Sequence, residues 1–357
     1  MTANSFANRL PTGFDGERLR GWMAARGLGS GPITDAALLT GGTQNLLLRF
    51  RMDDREYVLR RPPLNLRANS NETMQREARV LSALAHTRVP HPRLIAACAS
   101  AEVIGASFYL MEPVRGFNAT EGLPALHASR AGWRREMGLA LVDAAAALGA
   151  VDHEAQGLAD FGRLEGYLER QVPRWRRQLA DYAEHREWPG PDRLPHVAEI
   201  SAWLDAHRPA GFSPGIIHGD YHLANVLFDI DRPTLAAIVD WELSTLGDPL
   251  LDLGWLLATW PDPSRDGRAP IVQPWDGFPS AGELIDRYAQ RSGRDMSALP
   301  WFAVLACFKL GVILEGTYAR ACAGLAPVET GERLHASTLN LFERAARFVA
   351  EAPSGVL

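Results

Sequence analysis

Hydrophobic and polar positions along the chain change period several times, and each change marks an element. From Asp15 to Gly29, Leu19, Trp22 and Met23 recur at helical spacing behind an aspartate suited to N-capping. That segment predicts an amphipathic helix ended by glycines. Between Ile33 and Pro62 the pattern turns to strands: Ala37-Leu38-Leu39, a turn at Thr40-Gly41-Gly42-Thr43, then Leu46 to Met52. Asp53-Asp54 turns the chain again and Glu56 to Arg61 returns it, which predicts a three-stranded meander. Met74, Ala78, Leu81 and Leu84 place a helix over Glu72 to Ala85, and strand-like runs follow at Arg93 to Ala99 and Ser107 to Val114. This order closes a compact lobe near residue 115.

Beyond Gly116 the pattern is mostly helical: Ala131 to Val151, Leu164 to Arg186 and Pro195 to His207, then Pro249 to Trp260, Ala281 to Arg291, Trp301 to Ala323 and Glu329 to Ala350. A strand-rich insert interrupts it, at Gly215-Ile216-Ile217, Val226-Leu227-Phe228 and Ala237-Ile238-Val239. Asp262 to Asp276, rich in Pro, Asp and Gly, reads as a mobile loop. The expected organisation is a helical segment at 1–30, a small sheet lobe at 31–115 and a larger helical lobe at 116–357. A chain of 357 residues is long enough to need two lobes rather than one core.

Composition narrows the function classes. Hydrophobic residues are 46% and charged residues 22%, with a net charge of −5. No bulk positive field is present to recruit nucleic acid or anionic membrane. Cys98, Cys307 and Cys322 form no spaced pair, which points to buried thiols in a reducing cytoplasm. Met1 to Pro11 lacks the charged and apolar regions of a signal peptide. The longest apolar stretch, Trp301 to Gly316, carries Lys309 and Glu315 and reads as a core helix rather than a membrane span.

The candidate chemistry lies in the insert. Ile217-His218-Gly219-Asp220-Tyr221-His222-Leu223-Ala224-Asn225 runs straight into an apolar strand, and fifteen residues after Asn225 another apolar run ends at Asp240. One aspartate after a strand is commonly a turn cap, and one histidine is commonly structural. The combination has a mechanical meaning. Asp220 can accept a hydroxyl proton, and Asn225 can turn back to a magnesium ion. Asp240 supplies a second oxygen ligand, and magnesium takes few protein oxygens besides those of phosphate.

These residues, with Val239-Asp240-Trp241-Glu242 and Gly247-Asp248-Pro249-Leu250-Leu251-Asp252-Leu253, resemble the aminoglycoside phosphotransferase family, a branch of the protein-kinase-like fold. The resemblance covers roughly 30 to 325 and is strongest to the kinase-like domains fused to acyl-CoA dehydrogenases. It implies an α+β, two-lobed fold, with an antiparallel N-lobe sheet bearing one main helix and a mostly helical C-lobe. It implies ATP and Mg2+ as cofactors, and ATP or GTP plus a small hydroxyl-bearing acceptor as partners. Gly41, Gly42 and Thr43 resemble the phosphate-covering turn. Arg60 stands where the family carries a lysine, with Arg61 able to share its role, and Glu77 resembles its helix partner. Met111, Glu112 and Val114 resemble the linker that reads adenine. His218, Asp248 and Asp252 are expected to brace the loop.

Two other readings remain open. A nucleotide-binding protein without turnover is compatible with arginine at position 60. A metal-dependent hydrolase would use His218, Asp220 and His222 as ligands. The acceptor is open too: an aminoglycoside calls for an acidic cleft, a CoA ester for a basic one. Arg163, Arg170, Arg174, Arg176 and Arg177 lie on a long helical stretch that could supply the latter, with a solvated face the stronger reading.

Overall fold

A computed structural model describes residues 4–5, 10, 14–39, 45–263 and 270–352. Strands β1 (Asn4–Ser5), β2 (Ile33–Leu39), β3 (Leu46–Met52), β4 (Arg55–Arg61), β5 (Leu94–Cys98) and β6 (Phe108–Met111) form one antiparallel sheet in the order β1-β2-β3-β4-β6-β5. The meander is present, and β1 extends its edge.

Alternation along β4 divides its side chains between two faces. Tyr57 and Leu59 pack with Leu19, Trp22 and Met23 of α1 (Gly16–Ala24), a helix capped by Asp15, whose carboxylate accepts from the Arg18 amide at 3.0 Å. Val58 faces the other way, onto Met74, Leu81 and Leu84 of α2 (Ser70–Leu84). Arg61 falls on the α1 side. It is buried, its guanidinium lies over the Phe14 ring, and its donors go to the Pro62 and Ile104 carbonyls at 3.1 and 2.9 Å. Arg61 therefore does not share the role of Arg60, whose side chain turns toward α2.

Eight helices of the C-lobe are described: α3 (Ala125–Ala128), α4 (Ala131–Gly149), α5 (Tyr167–Asp181), α6 (Val197–Ala206), α7 (Leu250–Thr259), α8 (Ala281–Ser292), α9 (Leu299–Cys322) and α10 (Val328–Glu351). By length and composition α9 is able to cross a membrane, but Phe302, Leu305, Phe308 and Val312 are fully buried within the C-lobe core. The pattern anticipated all of these but the four-residue α3, to within a few residues. It did not anticipate the short strands β7 (Gly116–Phe117) and β11 (Thr245–Gly247). β7 pairs with β9 (Val226–Asp229), which pairs with β10 (Leu235–Ile238), while β11 pairs with β8 (Gly215–Ile217). These two small sheets carry the insert and aim it at the lobe junction. Of the loop from Asp262 to Asp276, 264–269 lie outside the described residues. Its end is anchored, with Trp275 stacked on Phe278 at 4.4 Å.

Candidate active site

The loop after β8 rests on a buried carboxylate. Asp252, on the first turn of α7, accepts from the His218 amide at 2.6 Å and the Gly219 amide at 2.9 Å. Burial raises its carboxyl above the ordinary value, and His218, the two amides and Lys309 draw it back. Gly219 has φ 85°, and a Cβ there would stand 2.5 Å from the Leu243 carbonyl oxygen. Only glycine fits this position without moving backbone. His218 is fully buried, with Nε2 2.9 Å from the Val239 carbonyl and its ring edge-on to Trp241. His218 and Asp252 thus brace the loop, as expected from the sequence.

This bracing presents Asp220 to the lobe junction. Asn225 Nδ2 donates to the Asp220 carbonyl at 2.9 Å and to Oδ2 at 2.7 Å, and His222 Nε2 lies 3.2 Å from Oδ1. Burial alone would raise the Asp220 carboxyl. His222, His218 and Asn225 outweigh it and hold the group down at about 2. The carboxylate is therefore ionised throughout the neutral range. His222 is a contact that sequence spacing weighed only as a metal ligand.

Asp240 follows β10 in the left-handed region, φ 67° and ψ 64°, which aspartate tolerates better than most residues. Its Oδ1 meets Arg60 Nη2 at 2.5 Å, and Arg60 Nε lies 2.9 Å from Glu77 Oε2. Arg60 thus spans from the N-lobe helix to the C-lobe strand end. Burial opposes its charge, yet Glu77, Tyr109 and Asp240 together raise its pKa above the ordinary value. Glu77 is fully buried and also accepts from the Tyr109 hydroxyl at 2.9 Å. Burial pushes its carboxyl up to about 7 against the pull of Arg60 and Tyr109. The Tyr109 contact carries no sequence signature.

Gly41, Gly42 and Thr43 lie outside the described residues. Asn45, just beyond them, donates from Nδ2 to Glu242 Oε2 at 3.2 Å, so the start of β3 is tied to the segment that carries Asp240. In the linker, Met111 ends β6 and Glu112 donates its amide to the Arg93 carbonyl at 2.9 Å. The Glu112 carboxylate pairs with Arg93 on the surface, so that side chain is spent outside the cleft. Past Val114, Gly116 approaches the Phe228 carbonyl so closely that a Cβ would sit 2.8 Å from it. This holds the linker against β9.

The donor set fits magnesium. Because Nδ2 of Asn225 is given to Asp220, Oδ1 is the free end of that amide. Asp240 adds a carboxylate, so two hard oxygens are available for a cation that takes its remaining ligands from phosphate and water. The zinc reading fails on contacts. His218 Nε2 is engaged by Val239, and among the described residues no three His, Cys, Asp or Glu side chains are grouped to hold a metal. A cavity of about 1130 Å³ is lined by Trp203, Phe212, Asp248, Arg294 and Trp301 and contains none of the converging residues.

A two-lobed fold with a bracing histidine, a loop aspartate and asparagine, a strand-end aspartate and a sheet-to-helix ion pair defines a kinase-like phosphotransferase. Residues 35–302 match the family described as APH, the phosphotransferase enzyme family, and the chain belongs to it. It is 30% identical over 319 residues to acyl-CoA dehydrogenase family member 10 of Mus musculus, covering 87% of this chain and 29% of that protein. It is 31% identical to probable acyl-CoA dehydrogenase IBR3 of Arabidopsis thaliana, covering 78% and 35%. The chain thus spans about a third of the length of these relatives. Among solved structures, one from Ralstonia eutropha JMP134, described as of aminoglycoside phosphotransferase type, is 30% identical with a TM-score of 0.76, covering 94% of this chain and 99% of that one. A thermostable aminoglycoside phosphotransferase APH(4)-Ia in complex with AMP-PNP and hygromycin B shares the fold at 14% identity, with a TM-score of 0.59 and coverage of 93% and 97%.

Proposed function

We propose that the protein transfers the γ-phosphoryl group of ATP to a hydroxyl of a small molecule. The observation that carries this reading is the continuous set of contacts from Glu77 through Arg60 to Asp240, beside Asp220 and Asn225. Asp220 orients the acceptor hydroxyl and takes its proton as the new bond forms. A carboxylate held near 2 is a weak base, which suits phosphoryl transfer, where the acceptor oxygen gains little charge before the transition state. Asn225 Oδ1 and Asp240 would hold magnesium, and Arg60, steadied by Glu77, would hold a phosphate oxygen. When bound, the ion supplies charge neutralisation across the phosphates. Backbone groups of the linker from Met111 to Val114 would meet the adenine edge.

Calorimetric titration of ATP into the protein, with and without magnesium, tests the site. Wild type and Asp220→Ala should bind Mg-ATP alike, while Asp240→Ala should lose the magnesium-dependent part of binding. Magnesium-independent binding unaffected by Asp240→Ala would overturn the assignment. Arg60 already engages Asp240, which favours binding without turnover as the second reading. Product formation separates the two.

A further inference from the structure

The chain has one lysine, Lys309, among 36 arginines. Arginine stands even at position 60, where the family resemblance calls for lysine. The single ammonium sits at the catalytic loop. From α9, Lys309 Nζ reaches 3.4 Å from the Gly219 carbonyl, the residue preceding Asp220. It lies 4.6 Å above the Trp255 ring on α7 and 5.6 Å from the Trp175 ring on α5.

The surroundings hold more donors than acceptors. Lys309 has three N–H donors, and its one hydrogen bond among the described residues is the long contact to Gly219. No carboxylate lies within ion-pair distance of it among the described residues, and Asp252, the nearest in its effect, is already engaged by two backbone amides. Arg174, whose charge also bears on Lys309, stacks on the same Trp175 ring at 5.0 Å and has no ion pair among the described residues. The indole Nε1–H groups of Trp175 and Trp255 are buried and without partners among the described residues. Around the Trp175 and Trp255 rings two cations and two indole donors therefore have few acceptors among the described residues, and Lys309 reaches the catalytic loop at Gly219. A polycation would be repelled here, and a group rich in lone pairs would complete the arrangement.

We infer that Lys309, with Arg174, forms the acceptor-recognition site and selects a hydroxyl compound that also carries an anionic oxygen group. Lys309 is a specificity-determining residue: it holds the anion so that the hydroxyl lies at Asp220. Burial lowers its pKa to about 8, with Asp252 and Asp220 opposing the shift, so the ammonium predominates at neutral pH. The inference rests on the phosphotransfer reading for its meaning, but its test has a readout independent of turnover.

Because Lys309 is the only ε-amine, trinitrobenzenesulfonate at pH 8.5 followed by peptide mapping reports on it alone, apart from the N-terminal amine. The probes are hydroxycarboxylates of two to six carbons, their methyl esters and amino alcohols of the same lengths. Protection of Lys309 by the hydroxycarboxylates, and not by the esters or amines, supports the inference. Equal protection by all three, or by none, overturns it. In turnover assays with the same probes, Lys309→Met should lower kcat/KM for the anions by about 10–100-fold, mostly through KM, the value of a charge-assisted hydrogen bond. Lys309→Arg should recover part of that loss, and melting curves check that both variants fold. Turnover of the hydroxycarboxylates unaffected by Lys309→Met would sink the inference while leaving phosphotransfer intact. Selective protection without phosphoryl transfer to any probe would leave the anion site standing and count against the phosphotransfer reading.

Discussion

Arg60→Met tests the buried ion pair that joins the lobes. Glu77 is 0% exposed and Arg60 7%, so removing the guanidinium leaves a carboxylate deep in the α2 interface with only the Tyr109 hydroxyl for support. Breaking a buried pair from one side costs about 3–5 kcal/mol, and the half-exposed Asp240 contact adds little to this. The cost depends on pH. In the native protein the Glu77 carboxyl already stands at about 7, raised from 4.5, and losing Arg60 raises it further. A folded state with a raised carboxyl pKa binds the proton more tightly than the unfolded chain. Relative stability is therefore fullest below about 4.5 and declines as pH rises through 7. Urea denaturation should show Arg60→Met losing about 3–5 kcal/mol at pH 8. At pH 5.5, where Glu77 is protonated, the loss should shrink to about 1–2 kcal/mol. Arg60→Met with Glu77→Gln keeps the Tyr109 partner and removes the charge, so it should recover most of the stability at pH 8 without restoring phosphate binding. A deficit equal at both pH values, or one that the double variant does not relieve, would refute this account of the pair.

Further outcomes follow from the loop. Asp252→Ala strands the buried His218 and Gly219 amides and should lower stability by about 2–5 kcal/mol in thermal unfolding. Gly219→Ala meets the Leu243 carbonyl and the positive φ together, so turnover should fall while calorimetry still finds Mg-ATP binding. Asp220→Asn should reduce kcat by about 10²–10⁴-fold in a coupled ADP-release assay, with KM for ATP little changed.

The residues that sequence located well are those whose relations are local. His218, Asp220 and Asn225 sit within eight positions, so spacing alone carries their geometry, and β9 beyond them has an unbroken apolar signature. The Arg60–Glu77–Asp240 triad spans 180 positions and became legible only through family resemblance, because no local pattern links a strand arginine to another strand's end. What stayed hidden depended on three-dimensional packing. β7 and β11, of two and three residues, are too short for a period to register. Arg61 and Arg60 are adjacent and chemically equal, and only the side of β4 that α1 covers separates them. Lys309 looked like one charge in an apolar helix; its place beneath Gly219 is set by how α5, α7 and α9 converge.

The central claim is that a phosphoryl group reaches a hydroxyl oxygen. 31P NMR of the protein with Mg-ATP and a panel of aminoglycosides, amino alcohols, hydroxycarboxylates and hydroxyacyl-CoA esters observes that bond directly. The expected result is a phosphate-monoester resonance that grows as the ATP γ-phosphate resonance declines, for at least one acceptor, and that Asp220→Asn suppresses. Bound Mg-ATP whose γ-phosphate persists, or appears only as inorganic phosphate, across the whole panel would contradict it.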